Sequence, residues 1–283
     1  MLKLGSVVLI AALLTIALGS ESGYCQGSGD LLVTPTRVVF EGKTRLVNVT
    51  LINTGDKPST YRIALVTRRM TELGGIEPID VAEPGELFAT DLLRFSPAQV
   101  VLKPQECQTV RVQLRLPADL PPGEYRSHLQ FSGVPDSIGP AVDGTEAKPG
   151  GIGVKLQPIY GVSIAVIIRR GDLSADLKLS DLKYTAPTAD QLAQLSFNMG
   201  RTGTCSTYGD LIASLKTADG KSQIVGRMDG VAVYCPNPLR RAIMCLTIPP
   251  GTVTAGGTLL LGYFKQDDKN AAPWDQQSLN LEQ

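Results

Sequence analysis

The sequence predicts an all-β chain of two packed-sheet domains, and three observations carry that prediction. Apolar residues recur at every second position in many short segments, as half-buried strands require. Turn formers punctuate those segments: 29 glycines and 19 prolines stand among 283 residues, and both residue types end or bend regular structure. Beyond the N-terminus no helical apolar period stands out. Short strands at this spacing pack as immunoglobulin-like β-sandwiches, and the length points to two of them, in keeping with ordinary domain size.

The N-terminus reads as a targeting segment. Lys3 supplies a positive start, and residues 7–18 form an apolar run of signal-peptide length, too short for a membrane span. Cleavage fits after Gly19 or after Cys25, and the residues before Cys25 do not form a lipoprotein box. Residues 1–25 are therefore set aside as a signal peptide. No later segment holds about 18 consecutive apolar residues, so the mature chain is expected not to be membrane-embedded. Cysteine usage fits export to an oxidising compartment. Cys107, Cys205, Cys235 and Cys245 lie in the mature chain, three of them in its second half. Cys205 with Cys235 is the preferred disulfide, with Cys235–Cys245 and Cys205–Cys245 left open; such a bridge contributes about 2–4 kcal/mol. Cys107 is then a buried free thiol or an unexpected partner.

The first domain is read over residues 26–170. Residues 31–40 form the first strand. Val47, Val49 and Leu51 alternate with Asn48 and Thr50 in the next, and Tyr61, Ile63 and Leu65 in the third. Residues 71–90, rich in Gly, Pro and acids, read as irregular loop. Val110, Val112 and Leu114 alternate with arginine and glutamine, and Pro121-Pro122-Gly123 turns into a strand over residues 125–131. A loop over residues 132–150 leads into the longest alternation in the chain. Ile152, Val154, Leu156, Pro158, Tyr160, Val162, Ile164, Val166 and Ile168 take every second position, a strand of roughly 50 Å at about 3.3 Å per residue. Arg169-Arg170-Gly171-Asp172 ends it and marks the boundary. The second domain, residues 171–283, shows strands over 192–199, 210–216, 223–228, 231–234, 242–248 and 258–264, and its tail after Gln266 reads as loosely held.

The chemistry that is missing narrows the function. Lys and Arg total 27, as do Asp and Glu; without a basic excess the chain is not expected to bind nucleic acid or anionic membrane in general. His128 is the single histidine, which excludes multi-histidine metal sites. It sits next to Ser127 on a strand, where neighbours face opposite sides. Ser180-Asp181-Leu182-Lys183 has a Ser-x-x-Lys spacing without companion motifs, and neither a Gly-rich phosphate loop nor a Cys-x-x-Cys pair occurs. Asn48-Val49-Thr50 is a glycosylation acceptor in form only, because its asparagine lies within a strand. No cofactor and no enzymatic activity are expected.

The strand from Ile152 stands out against this background. It outruns one sandwich and follows a long loop. An apolar strand edge is a hazard that proteins normally blunt, so retaining one points to strand lending by β-augmentation. The alternative is that residues 152–158 complete the chain's own sandwich.

The pattern resembles the periplasmic chaperones of chaperone–usher pili, the PapD-like family, in a divergent form. The likeness is carried by Pro35-Thr36-Arg37-Val38-Val39-Phe40, Asn53-Thr54-Gly55, Phe95-Ser96-Pro97, Leu102-Lys103-Pro104, Gln108-Thr109-Val110-Arg111-Val112, and Leu120-Pro121-Pro122-Gly123-Glu124-Tyr125-Arg126-Ser127-His128-Leu129. It covers most of residues 31–171. The resemblance implies two immunoglobulin-like domains in an L, and a non-enzymatic periplasmic role binding pilus or fimbrial subunits and handing them to an outer-membrane usher. It implies that Arg37 grips a subunit's C-terminal carboxylate, with Ile152, Val154, Leu156 and Tyr160 filling the groove left by the subunit's missing strand. The family's partner lysine falls on Ala165, near Ser163; Arg37 would then act with backbone donors, with Ser163, or with another cation. The family's Arg-Glu-Ser triplet reads Tyr125-Arg126-Ser127, so the acid expected to pair with Arg169 is not at its usual place. The rival reading is a secreted immunoglobulin-like structural or adhesive protein that self-associates through its long strand; self-association when free of subunit fits both readings.

Overall fold

The computed structural model of the protein describes residues 30–135, 159–266 and 272–281. Its strands pack as two sandwiches joined by a two-stranded hairpin, and the all-β expectation holds. In chain order the first sandwich contains β1 (Leu31–Thr34), β2 (Arg37–Phe40), β3 (Leu46–Asn53) and β4 (Ser59–Val66); β5 (Arg68–Met70) and β6 (Ile76–Pro78) form the hairpin; β7 (Leu93–Ser96), β8 (Gln99–Leu102), β9 (Cys107–Leu114), β10 (Gly123–Val134) and β11 (Gly161–Arg170) complete the first unit. One sheet runs β1-β3-β9-β7 and the other β2-β11-β10-β4-β8. The alternation read from the sequence sets the facing. Val49, Leu51, Val110 and Val112 of one sheet meet Ile63, Leu129, Phe131, Ile164 and Val166 of the other, all almost fully buried.

Two boundaries differ from the sequence reading. The strand expected over residues 31–40 is two strands in different sheets. β1 pairs antiparallel with β3, whereas β2 pairs parallel with β11. Pro35 lies between them; it has no N–H to donate to a ladder, so the chain changes sheet there. The stretch expected as loop over residues 71–90 contains β6 and the turn that joins it to β5, and Met70 at the end of β5 is buried in the core of the second sandwich.

The second sandwich contains β12 (Ala175–Thr185), β13 (Ala193–Gly203), β14 (Thr207–Lys216), β15 (Ser222–Val233), β16 (Leu239–Leu246), β17 (Thr258–Lys265) and β18 (Asp275–Asn280). Its sheets run β12-β13-β16 and β15-β14-β17-β18. The Ser-x-x-Lys stretch lies on β12, where the register shifts between Ser180 and Lys183 and Asp181 takes a positive φ of 54°. It is a bulge, in which Ser180 Oγ donates to Asp181 Oδ2 at 3.1 Å. The two strands expected over 223–228 and 231–234 are one strand with irregular register against β14. The tail expected to hang loosely instead supplies β18, which pairs with β17 from Thr258↔Asn280 to Tyr263↔Asp275, and Leu281 is buried. Its alternating polar residues are those of an edge strand with one solvent face, which composition alone does not separate from coil. Among the described residues no helix is long and apolar enough to cross a membrane.

β10 and β11 position the functional surface. One face of each enters the first core. The other face lies under the second sandwich, so β10 is buried from Gly123 to Leu129 on both sides. Ser127 and His128 do face opposite ways, yet both are buried. Ile167 of β11 is fully buried outside either main core.

Candidate functional site

The outer face of the β2-β11-β10-β4 sheet carries a row set by register. Arg37 pairs with Ala165, Ala165 with His128, and His128 with Val66. Paired residues project from the same face, so Arg37, Ala165 and His128 stand side by side towards the second sandwich. Two residues along β10, Arg126 pairs with Ile167; two in the other direction, Gln130 pairs with Ser163. Arg68, just after β4, donates from Nη2 to Gln130 Oε1 at 2.7 Å.

The second sandwich covers this row with tyrosines. The Arg37 guanidinium lies 4.3 Å from the centroid of the Tyr208 ring, and the Arg126 guanidinium 4.2 Å from that of Tyr234. Stacking on a ring face satisfies the guanidinium's charge in part but leaves its in-plane N–H donors free. Among the described residues those donors are buried without partners: Nε and Nη2 of Arg37, Nη1 of Arg126 and Nε of Arg68, with His128 Nδ1 beside them. Among the described residues none of these three arginines forms an ion pair. An unmet buried donor costs about 1–3 kcal/mol, and several at one place fit a site for an anion with planar acceptors.

His128 is kept uncharged here. Burial, then the charges of Arg126 and Arg68, push its pKa down to about 3. Arg126 is itself held below the usual guanidinium range by burial. The sign of the resulting pH dependence follows. An unfolded histidine takes a proton near pH 6.5 while the native one does not until about pH 3. The stabilising contribution is therefore complete above pH 6.5 and is lost as pH falls through that window, at a limiting slope of about 1.4 kcal/mol per pH unit. Chemical denaturation between pH 7 and 4 should show this slope, and His128→Gln should flatten it; equal slopes in the two proteins would remove His128 as its source.

The expected site residues separate into three groups. Arg37 lies in the row and is largely buried. Tyr160 and Ser163 are exposed and line an open pocket with Arg68, Gln130 and Ser132. Ile152, Val154 and Leu156 lie outside the described residues. β2 pairs with β11 only from Ala165 to Ile168, and β1 belongs to the other sheet. The outer edge of β11 from Gly161 to Ile164 therefore has no strand beside it among the described residues, and Arg37 marks where that free edge stops.

A second polar cluster joins the sandwiches, and the sequence reading missed its acid. Glu124, opposite Arg169 in the β10–β11 ladder, accepts from Arg169 Nε at 3.0 Å and from the Ser206 backbone N–H at 3.0 Å. Ser206 Oγ also donates to Glu124 Oε1, and Arg169 Nη2 donates to the Ser206 carbonyl at 3.0 Å. The Glu124 carboxylate is almost fully buried. Its signal was present as an acid directly after Pro121-Pro122-Gly123, but pairing it with Arg169 requires the register across 45 residues.

The cysteines depart from the sequence reading. Cys205 and Cys235 are free thiols in the structure, not bridged, and Cys107 is exposed instead of buried. Cys107 begins β9 on its outward face, with Thr109 and Arg111. Cys245 is also exposed and pairs with Gln194, near the opposite end of β13 from Cys205. That separation, roughly 30 Å along a strand, excludes the Cys205–Cys245 pairing left open by the sequence, and Cys245 lies near the far end of β16 from Cys235.

No family model and no curated protein matches the chain. Among solved structures, the YadV chaperone is 15% identical, with a TM-score of 0.42 over 89% of this chain and 100% of that one. The CupB2 chaperone of Pseudomonas aeruginosa is 14% identical, with a TM-score of 0.43 over 88% and 100%. The CsuC–CsuE chaperone–tip adhesion subunit complex from the archaic chaperone–usher Csu pili of Acinetobacter baumannii is 13% identical, with a TM-score of 0.42 over 89% and 98%. The functional reading rests on the geometry of this chain itself.

Proposed function

We propose that the chain is a non-enzymatic periplasmic chaperone, exported by its N-terminal segment, that captures pilus or fimbrial subunits by lending them an edge strand and delivers them to an outer-membrane usher. The single observation that supports this best is the coincidence of two unmet needs. Among the described residues, a free strand edge on β11 ends at a buried group of guanidinium donors that lack an acceptor. A subunit strand laid along that edge satisfies the first, and its terminal carboxylate, reaching the row, satisfies the second. Arg37 is the anchor. Arg126, stacked and buried two residues from His128, supplies the second cation in place of the lysine missing at Ala165, with Arg68 and Ser163 flanking the entrance.

In this reading the alternation of Ile152, Val154 and Leu156 continues the edge beyond Tyr160 into the subunit's open core. Each such side chain contributes about 1.5–3 kcal/mol on burial, against which the ordering of the segment is set. The test is co-expression in the periplasm with an incomplete-sandwich fimbrial subunit from the chain's own gene cluster. The wild type should co-purify with it one to one, and the double variant Ile152→Arg, Leu156→Arg should fold with an unchanged melting temperature yet capture none. Full capture by the folded double variant would overturn the proposal. So would a stable self-assembly through β11 that excludes the subunit, which is what a structural or adhesive protein would form.

A further inference from the structure

Tyr208 reaches Arg37 from the second sandwich, and the strand pair that carries it makes room for its ring. In β14 the buried residues Thr207, Gly209 and Leu211 face the core, so Tyr208 and Asp210 point outwards. β15 opposes this stretch with one residue too many. Gly209 pairs with Val231 and Leu211 with Met228, which leaves Asp229 and Gly230 together across from Asp210. Asp210 pins the bulge, accepting from the Gly230 N–H at 3.0 Å and from Arg227 Nη2 at 2.9 Å. Gly230 takes a positive φ of 64° there. A Cβ on it would stand 2.7 Å from Tyr208 Oη and 3.3 Å from Cζ. The hydroxyl end of Tyr208 is thus turned to Gly230, and the ring face is what meets Arg37, 4.3 Å from the guanidinium.

We infer that Tyr208 is a positioning residue for subunit capture: its ring, seated against Gly230, sets the plane of the Arg37 guanidinium so that the unmet Nε and Nη2 donors lie edge-on to an incoming carboxylate. The role rests on Arg37 being the anchor proposed above. Among the described residues Nε and Nη2 of Arg37 have no partner and the side chain makes no ion pair. The ring is therefore the contact that restrains its tilt, and a stack does so while leaving the in-plane N–H groups free. Without the ring this long side chain would have to be ordered as the subunit arrives, and that ordering is subtracted from affinity. The second sandwich thereby takes part in capture through an arginine that belongs to the first.

The experiment titrates full-chain wild type, Arg37→Ala, Tyr208→Leu and Tyr208→Phe with the fimbrial subunit of the co-expression test, and takes the melting temperature of each. Tyr208→Leu should bind about 10-fold more weakly than wild type. Tyr208→Phe, which keeps the ring face, should recover most of that loss. Gly230→Ala is a second lever. It should weaken binding when Tyr208 is present and much less in the Tyr208→Phe background, which lacks the oxygen a Cβ would strike; backbone strain from the positive φ would act equally in both. Wild-type affinity in Tyr208→Leu beside a weakened Arg37→Ala would overturn the positioning role and leave the anchor standing. Unchanged affinity in Arg37→Ala would overturn both. Equal weakening by Gly230→Ala in the two backgrounds would also overturn the positioning role, and that comparison decides the question if Tyr208→Leu does not fold.

Discussion

Glu124→Ala is expected to be the most destabilising single substitution at the contact between the sandwiches, with a loss of about 3–5 kcal/mol on chemical denaturation. The cost comes less from the ion pair as such than from what remains. Arg169, largely buried, loses its principal acid; the Ser206 N–H and hydroxyl lose their acceptor in a buried place. Arg169 keeps the Ser206 carbonyl and, as its remaining acid, the exposed Glu41, 3.7 Å away, a pairing worth little at the surface. Glu124→Gln retains shape and one acceptor oxygen and should recover part of the loss. A Glu124→Ala protein as stable as the wild type would mean that the cluster is decoration and that the arginine–tyrosine stacks and the shared hairpin around Met70 hold the units without it.

Arg37→Ala is expected to show the opposite profile: little or no loss of stability, and a large loss of subunit affinity. Its Nε and Nη2 donors are buried and unpaired, so removing them relieves a cost in the free protein while forfeiting a stack on Tyr208. In the complex the same donors would grip a carboxylate with charge-assisted bonds of about 1.5–3 kcal/mol each. The two bonds together are worth about 3–6 kcal/mol, so the expected change is about 10²- to 10⁴-fold in Kd, measured by titration with a fimbrial subunit, at a melting temperature within a degree or two of wild type. Arg37→Lys should not restore binding, because an ammonium neither stacks flat nor offers a two-pronged edge. Arg126→Ala should weaken binding as well, with a greater cost in stability, since that side chain is more deeply buried and also bonds the Arg68 carbonyl. Unchanged affinity in Arg37→Ala would retire the carboxylate anchor and leave the free β11 edge as the whole of the site.

The difference between these two arginine-centred sites shows how far the sequence could be read. Period-two alternation is local, so strands such as those around Val49, Val110 and Leu211 were legible, as was the sandwich class. Arg37 was legible through the motif around it. The second cation was not. Arg126 lies on a strand that alternation alone would turn towards solvent, and only the cover of Tyr208 and Tyr234, from residues more than 80 positions away, makes its environment buried. Glu124 was hidden for the same reason: its two partners come from β11 and from the rim of the second sandwich. β18 escaped because a polar edge strand and a polar tail share a composition. For Arg126 and Glu124 the missing information was a contact between distant segments, which residue spacing does not encode.

Met70 gives the two-sandwich layout a further meaning. It belongs by chain position to the first unit, yet its side chain completes the core of the second, and its carbonyl accepts from Asn237 Nδ2 at 2.6 Å. Glu72 in the same hairpin accepts through its carbonyl from the Arg241 N–H at 2.6 Å. A fragment begun at residue 171 would thus lack part of its own interior, a void of a kind that costs about 2–5 kcal/mol. The natural cut between the sandwiches in sequence is not a cut in cooperativity. The halves are expected to melt as one, and the angle between them is fixed by a shared interior instead of being left to a linker.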